Sequence, residues 1–236
     1  PILTVPFVAI INLFTDSAVI APDGRYRPSV DRFWQKKIAS MLVSVACLFL
    51  YSAAIQMLGL KVSWLIAFSA GLSTQFWSTA SRGLQAHTWI VVLLSVTLFL
   101  IVRAELPGKS LNPFAFGSVL AFSFWVRPTS MFFIFPLSLY VFFRHRKSFI
   151  WVFMVELGWF FLMISLSMSL YGKLLPPYYF KAKGLSILNL PVGLAGQLIS
   201  PSRGLFIFVP LTVFTIFLVW HYRGYLQYRG LTLTCI

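Results

Sequence analysis

The stretch IASMLVSVACLFLYSAAIQMLGL, residues Ile38–Leu60, contains no charged residue and is flanked by Lys37 and Lys61. An α-helix needs about 20 consecutive apolar residues to cross the hydrocarbon core of a bilayer. The stretch therefore predicts a transmembrane helix, and it sets the expectation for the other apolar runs of the chain.

The composition of the whole chain agrees with this prediction. Of its 236 residues, 59% are hydrophobic and only 10% are charged, whereas a soluble domain carries about 25% charged residues. The apolar runs are long, and within them apolar and polar residues do not alternate as they do in the strands of a β-barrel. The composition thus indicates an all-α fold, a polytopic transmembrane helical bundle.

The net charge is +14, from 19 Lys and Arg against 5 Asp and Glu. Such an excess often marks a nucleic-acid-binding protein, but here the cations are spread over the loops between apolar runs. We therefore expect no nucleic acid as a partner. Anionic membrane lipid, or a lipid substrate that carries a phosphate, is the expected partner.

Cations punctuate the apolar runs at regular intervals. Lys61, Arg103 and Arg144 are separated from one another by about 40 residues, which as a helix measure roughly 60 Å, or two crossings of the hydrocarbon core. Each interval predicts a helical hairpin. Arg82 lies midway in the first interval and Arg127 lies inside the second, so both arginines are expected at hairpin tips on the opposite side.

This pattern predicts a single transmembrane domain, 1–236, with about seven spans. The apolar segment 1–14 is too short to span and favours an interfacial or re-entrant helix. A polar loop is expected over 15–37 and an external loop over 172–203. The predicted spans are 38–60, 62–77, 88–102, 112–126, 129–143, 149–171 and 205–220.

Charge alone leaves the orientation open. The side that carries Arg82 and Arg127 has the larger number of cations, which by the positive-inside rule weakly favours that side as cytoplasmic. The dense turn RHRK, residues 144–147, lies on the other side and is itself typical of a cytoplasmic loop.

Two hairpin tips carry candidate site residues. The segment FWSTASRGLQAHTW, 76–89, gathers Arg82, Gln85 and His87 between aromatic residues; it is either an ordinary polar turn or a functional site, since polar groups at this depth are costly. Arg127 precedes Pro128 in FWVRPTS and is either an interfacial arginine or a fixed cation that faces a cavity.

The long loop carries the remaining candidates. In YGKLLPPYYFKAKG, 171–184, Tyr178 belongs to an aromatic cluster that is either an interfacial belt or a site for a sugar ring and a lipid phosphate. In SPSRGLF, 200–206, Ser202 can cap the last helix. Arg203 beside that helix start can equally form part of an anion site.

No complete catalytic set is present in the sequence. The two cysteines imply neither a disulfide framework nor a metal site, and no metal ligands are assigned. No cofactor is certain, although a divalent cation is possible. Glu156 stands alone within an apolar run and is expected to pair with a polar group on a neighbouring helix, because an unpaired carboxylate in a membrane is expensive.

Five segments occur in an order that resembles a known family: PILTVPFVA, LSTQFWSTASRGLQAH, FSFWVRPTSMFFIFPL, YGKLLPPYY and LISPSRGLFIFVP. Together they resemble the polytopic glycosyltransferases of the GT-C superfamily, family 39-like, which are related to protein mannosyltransferases and lipid A aminoarabinose transferases. The resemblance implies transfer of a sugar from a polyprenyl-phosphate donor to a lipid, glycan or protein acceptor. It also implies a bacterial inner membrane, with the active site facing outward.

The resemblance further implies roles for the candidate residues. Arg82, Arg127 and Arg203 would bind the donor phosphate. The catalytic aspartate of such enzymes lies in a first external loop, so the chain is expected to be an N-terminally truncated fragment with that aspartate upstream of Pro1. The residues expected to line the substrate site are Gln85, His87, Tyr178 and Ser202.

Two other functions remain open at the level of sequence. A non-enzymatic lipid or glycan transporter of the flippase kind would also use outward cationic pockets, and a structural membrane subunit is a third possibility. The tetrapeptide SRGL occurs at 81–84 and at 202–205, but the flanking sequences diverge at once. This argues modestly against a transporter built from internal repeats.

Overall fold

The computed structural model describes residues 7, 9, 27–73, 76, 80–176, 190–200, 205–208 and 211–221. Within this part of the chain the regular structure is entirely helical, which confirms the all-α class there. The helices are α1 (Pro28–Ala54), α2 (Leu60–Ser73), α3 (Ala86–Ala104), α4 (Pro113–Val126), α5 (Met131–Arg144), α6 (Arg146–Tyr171), α7 (Leu190–Ile199), α8 (Leu205–Phe208) and α9 (Leu211–His221), with a 3₁₀ turn at Pro128–Ser130 between α4 and α5.

Three of these helices, α1, α3 and α6, are long and apolar enough to cross a membrane. The helices α2, α4 and α5 are apolar but have 14 residues each, and at 1.5 Å per residue they measure about 21 Å. The expectation of about seven spans therefore stays a prediction. The segment expected as an interfacial helix, 1–14, lies outside the described residues except for positions 7 and 9, which are helical.

The start of α1 corrects the predicted polar loop over 15–37. The helix begins at Pro28 rather than Ile38. Proline fits the first position of a helix because it has no N–H to leave unpaired. Asp31 lies in the first turn, where its charge complements the helix dipole, and it accepts a 2.9 Å hydrogen bond from Nε2 of Gln35. Charged residues thus continue the helix beyond its apolar run.

The predicted loop over 172–203 also needs correction. It contains helix α7, Leu190–Ile199, whose ten residues are almost all apolar. The α6 helix ends at Tyr171, as expected. The next residue, Gly172, caps it with a left-handed φ of 64°, a conformation that suits glycine. The last predicted span corresponds to two helices, α8 and α9, with residues 209–210 outside the described part.

The chain divides into two compact units. The first comprises residues 1–131 and 147–160, and the second comprises 132–146 and 161–236. In the second unit, α8 contacts both α7 and α9. The expectation of one transmembrane domain stays a prediction.

The first unit is built around α1, against which α2 and α3 both pack, while α4 packs against α3. Its core contains Ile38, Leu42 and Ala46 of α1 and Val92 of α3, surrounded by half-buried residues that include Leu84 and Trp89. These contacts hold the polypeptide that joins α2 to α3 against the side of α1.

Close packing in the first unit also joins α4 to α6. A Cβ atom added to Gly117 would lie 2.9 Å from the carbonyl oxygen of Val152 and 3.1 Å from Cβ of Val155. One residue further on, the Ser118 hydroxyl accepts a 2.8 Å hydrogen bond from Nε1 of Trp159. Small residues let helices approach in this way in membranes.

The expectation that Glu156 pairs with a polar group is wrong for the described residues. Its Oε1 is buried and has no hydrogen-bond partner there. The Ser118 hydroxyl, on the helix that packs against α6, accepts its hydrogen bond from Trp159. Oε1 of Glu156 thus lies in α6 without the hydrogen bond that would compensate its burial among the described residues.

Candidate functional site

The connection between α2 and α3 is held in place by the first turn of α3. Thr88 is 0% exposed, and its Oγ1 lies 2.9 Å from the carbonyl oxygen of Ala80 and 3.0 Å from that of Gly83. The backbone N–H of Ser81 donates to the carbonyl of Phe76 at 2.9 Å. One buried hydroxyl therefore fixes both ends of the turn that carries Arg82.

Arg82 is exposed in this turn, and Gln85 follows it at the N-terminal boundary of α3. Gln85 has extended backbone (φ −103°, ψ 166°), and its side chain does not cap the helix. Its N–H donates to the Gly83 carbonyl at 2.9 Å. The side chains of Arg82 and Gln85 are thus both on the surface, and neither is used to hold the turn.

Arg127 occupies the break between α4 and the 3₁₀ turn. Its backbone is extended (φ −151°, ψ 124°), as expected for a residue that precedes proline. Its N–H donates to the Ser123 carbonyl at 3.0 Å, and its own carbonyl accepts from the Ser130 N–H at 3.0 Å. The arginine is therefore anchored by its backbone on both sides, and its side chain is free to serve another contact.

That contact is with His87, in the first turn of α3. Nη1 of Arg127 lies 3.1 Å from Nδ1 and 3.1 Å from Nε2 of the imidazole. Only Cε1 separates these two ring nitrogens, so an atom equidistant from both in the ring plane would collide with the ring. Nη1 therefore lies over a face of the imidazole, an arrangement that arginine commonly adopts with aromatic rings.

Aromatic packing supports the end of α4 just before Arg127. The rings of Trp125 and Trp159 meet edge to face with centroids 5.9 Å apart, and Phe122 packs against both of them. Trp159 is itself fixed by its bond to Ser118. Since rigid neighbours fix a functional side chain better than loops do, this cluster positions the arginine.

The end of the first unit that carries Arg82, His87 and Arg127 is cationic. Among the described residues, no carboxylate pairs with either arginine. The N-terminal half of α1 reaches the same end, because the Oγ atom of Ser40 lies 3.4 Å from the Ser81 carbonyl oxygen. Within the part of the chain that the structure describes, no group of three His, Cys, Asp or Glu side chains could hold a metal ion. The arginine side chains of this end can donate charge-assisted hydrogen bonds.

The structure brings together two of the predicted site residues, His87 and Arg127, and places Arg82 and Gln85 in the turn that leads into the helix of His87. Arg203, Tyr178 and Ser202 lie outside the described residues. Sequence reasoning missed Thr88, although a threonine directly after a polar turn and in a helix's first turn is well placed to bond to the turn.

In the part of the chain that the structure describes, the fold is all-helical, three helices are long and apolar enough to cross a membrane, and the first unit has a cationic surface at one end. Comparisons with protein-family models, with curated proteins and with solved structures find no match for the chain.

Proposed function

We propose that the protein is an integral membrane glycosyltransferase of the GT-C kind, which transfers a sugar from a polyprenyl-phosphate donor to a lipid, glycan or protein acceptor. In this reaction an acceptor oxygen or nitrogen attacks the anomeric carbon of the sugar and gives up its proton to a base, the role that the resemblance implies for the catalytic aspartate. The bond from that carbon to the phosphate oxygen breaks, and the phosphate leaves with the electron pair.

The observation that carries the proposal is the contact of Arg127 with His87 at the cationic end of the first unit. The imidazole face of His87 covers Nη1 of the Arg127 guanidinium. The other N–H groups of this guanidinium have no partner among the described residues. A preorganised arginine with unused donors is suited to a phosphate, because its planar fork can bond two oxygens at once.

Charge development during the reaction gives these cations a catalytic use. Negative charge grows on the phosphate oxygen as the bond to the sugar breaks, and fixed donors aimed at that oxygen lower the barrier. In the proposal Arg127 and Arg82 bind the phosphate, His87 positions Arg127, and Gln85 lines the site. Arg203, Tyr178 and Ser202 keep the donor-binding and lining roles that the resemblance implies.

The proposal places this end of the protein on the outer face of a bacterial inner membrane, in agreement with the resemblance. An outward excess of cations runs against the usual distribution of charge, and binding an anionic donor gives that excess a purpose. The same cations would also serve a transporter, so the decisive experiment must separate binding from transfer.

Binding is tested with a polyprenyl monophosphate, the leaving group common to donors with any sugar, and with the matching neutral polyprenol as control ligand. We expect the purified full chain to prefer the phosphate. Arg127→Gln should weaken that binding at least tenfold, since a charge-assisted hydrogen bond contributes about 1.5–3 kcal/mol. Arg103→Gln, at the other end of α3, is the matched control and should leave binding unchanged.

Transfer is tested with the corresponding polyprenyl-phosphate sugars and membranes that contain the full-length protein. Release of polyprenyl phosphate with a sugar joined to an acceptor supports the enzyme. Equal binding of the phosphate and the polyprenol contradicts the assigned phosphate site. Phosphate-selective binding combined with movement of an intact donor across the bilayer, without transfer, overturns the enzyme in favour of a transporter.

A further inference from the structure

The first turns of α1 present an exposed stripe of charged and aromatic side chains, which we call the basic stripe: Arg32, Phe33, Lys36 and Lys37. Their spacing puts them on one face of the helix, and all four are exposed. On the opposite side the half-buried Trp34 and Gln35 lead into the buried Ile38. The stripe therefore faces away from the core of the first unit.

In the described part of α1 the cations of this region outnumber the acids. Arg27 adds a fourth cation at the helix start, while Asp31 is the one acid in the first turn. Arg27 and Arg32 lie near the helix N-terminus, where the helix dipole disfavours cations, so an anion at this end of the helix would be favourable.

Local contacts hold the side chains of the stripe along the helix. Nε of Arg32 donates to the Pro28 carbonyl at 3.1 Å. Nζ of Lys37 lies 5.5 Å from the centroid of the Phe33 ring, within the range of a cation–π contact. The positive groups are thus gathered into a continuous surface.

The position of the stripe along α1 indicates the level at which its partner lies. The apolar part of the helix, 38–54, measures about 25 Å at 1.5 Å per residue, close to the thickness of the hydrocarbon core. The stripe then falls at the level of the lipid headgroups. Below Lys37, at the edge of the stripe, the helix exposes the apolar Met41 at 59% and Leu48 at 63%, next to the exposed hydroxyl residues Ser40 and Ser44.

We propose that the basic stripe binds the headgroups of anionic phospholipids such as phosphatidylglycerol. A surface with cations at headgroup depth and apolar side chains at acyl-chain depth complements a whole lipid molecule, whereas a soluble phosphate would not use the apolar part. Clustered cations beside a transmembrane helix attract anionic lipid. The proposal does not depend on sugar transfer.

The test measures the lipid composition next to the stripe. A fluorescent dye is attached at Met41→Cys, in full-length protein that also carries Cys47→Ala and Cys235→Ala. The protein is reconstituted in bilayers of equal parts phosphatidylglycerol and phosphatidylcholine, with either the one lipid or the other brominated. Because bromine quenches only nearby dye, the ratio of the two quenching levels reports the local ratio of the two lipids.

We expect phosphatidylglycerol to be enriched about threefold or more beside the dye, and the enrichment to fall in high salt, which screens charge. The triple variant Arg32→Gln, Lys36→Gln and Lys37→Gln should bring the ratio close to one. A dye at Phe114→Cys, a 64% exposed position on α4, is the control and should give the same ratio with and without the triple variant.

The proposal is overturned if the ratio of phosphatidylglycerol to phosphatidylcholine beside the dye is near one in the protein with the unmutated stripe. An enrichment that survives the triple variant overturns it as well, because the lipid would then be held by something other than these cations. A change of the Phe114 ratio together with the Met41 ratio also counts against the stripe, since it would show a response of the whole protein rather than a local site.

Discussion

Nη1 of Arg127 lies 3.1 Å from both ring nitrogens of His87 and therefore rests over the imidazole face. The two residues belong to the C-terminal boundary of α4 and the first turn of α3. Their contact is made between helices that pack against each other. The contact fixes the direction of the Arg127 guanidinium. The backbone of Arg127 is already held by hydrogen bonds to Ser123 and Ser130.

The stacked geometry predicts that His87 acts through the face of its ring rather than through hydrogen bonds to its ring nitrogens. His87→Phe preserves an aromatic face and should bind polyprenyl monophosphate nearly as well as the unchanged protein. His87→Ala should bind it about two- to fivefold more weakly, since an exposed cation–π contact contributes about 0.5–1 kcal/mol. Binding titrations of the two variants check this.

Arg127→Gln in the same titrations is the reference for loss of the cation itself. If His87→Phe weakens binding as much as His87→Ala does, a hydrogen bond donated by Arg127 to a ring nitrogen is the important contact, and the stacked geometry is not. If neither His87 variant changes binding while Arg127→Gln does, His87 has no positioning role.

Thr88 is predicted to stabilise the turn that carries Arg82. Thr88→Val keeps the shape of the side chain but leaves the carbonyl oxygens of Ala80 and Gly83 without their hydroxyl donor. The loss should be about 1–3 kcal/mol of unfolding free energy, seen as a lower Tm in detergent. The turn should also become more accessible to protease.

Thr97→Val is the matched control for this prediction. Thr97 is also buried and in α3, but its hydroxyl donates at 2.7 Å to the Leu93 carbonyl, which already accepts the helical hydrogen bond from the Thr97 N–H. Its removal should cost less. Equal losses of Tm in the two variants would show that the turn draws no particular stability from Thr88.

The helices could be predicted where a long apolar run defines them. Three predicted spans contain helix: Ile38–Ala54 of α1, the body of α3 and the body of α6. A helix needs about 20 apolar residues to cross a membrane, and runs of this length are visible in the sequence. The first turns of α1 were missed because their stability depends on Pro28 and on the Asp31–Gln35 bond rather than on hydrophobicity. Helix α7 was missed because a mostly apolar run of ten residues is too short for a span.

The site could be predicted as a set of residues but not as a geometry. Arg127 was marked by the following proline, and His87 by its polar surroundings. Their contact depends on the rotational and axial register of α3 against α4, which a run of uniformly apolar residues does not specify. For the same reason the sequence could show that Glu156 lies in an apolar helix but not what surrounds it.

Gly117 is predicted to be required for the close approach of α4 and α6. In Gly117→Ala the new methyl group would lie 2.9 Å from the backbone carbonyl oxygen of Val152, and backbone cannot move aside as a flexible side chain can. The helices must separate, which breaks the packing of Ser118 and Trp159. We expect a loss of about 1–3 kcal/mol and a lower Tm.

Gly158→Ala offers a control in the same pair of helices. A Cβ atom at Gly158 meets nothing within 4 Å, and alanine is a better helix former than glycine by about 1 kcal/mol. Its Tm should stay the same or rise. A Gly117→Ala protein as stable as Gly158→Ala would contradict the close packing of α4 and α6.

Glu156 is predicted to lower stability, because its Oε1 is buried with no partner in the described chain. Glu156→Met has a similar length and places no polar atom in this position. Removal of an unsatisfied polar group should raise the unfolding free energy by about 1–3 kcal/mol, which for a chain of this size is a rise of several degrees in Tm. Thermal unfolding in detergent checks the direction.

Glu105→Gln separates this effect from a general benefit of removing negative charge. Glu105 lies at the C-terminal boundary of α3, in a turn with the exposed Arg103, so its carboxyl group has solvent and a nearby cation to stabilise it. Its replacement should leave Tm unchanged or slightly lower. If Glu156→Met lowers Tm instead, the carboxyl group is bound to something that stabilises it in the folded protein, such as a cation, a lipid headgroup or a further segment. The same substitution would then identify Glu156 as a contact residue rather than a destabilising one.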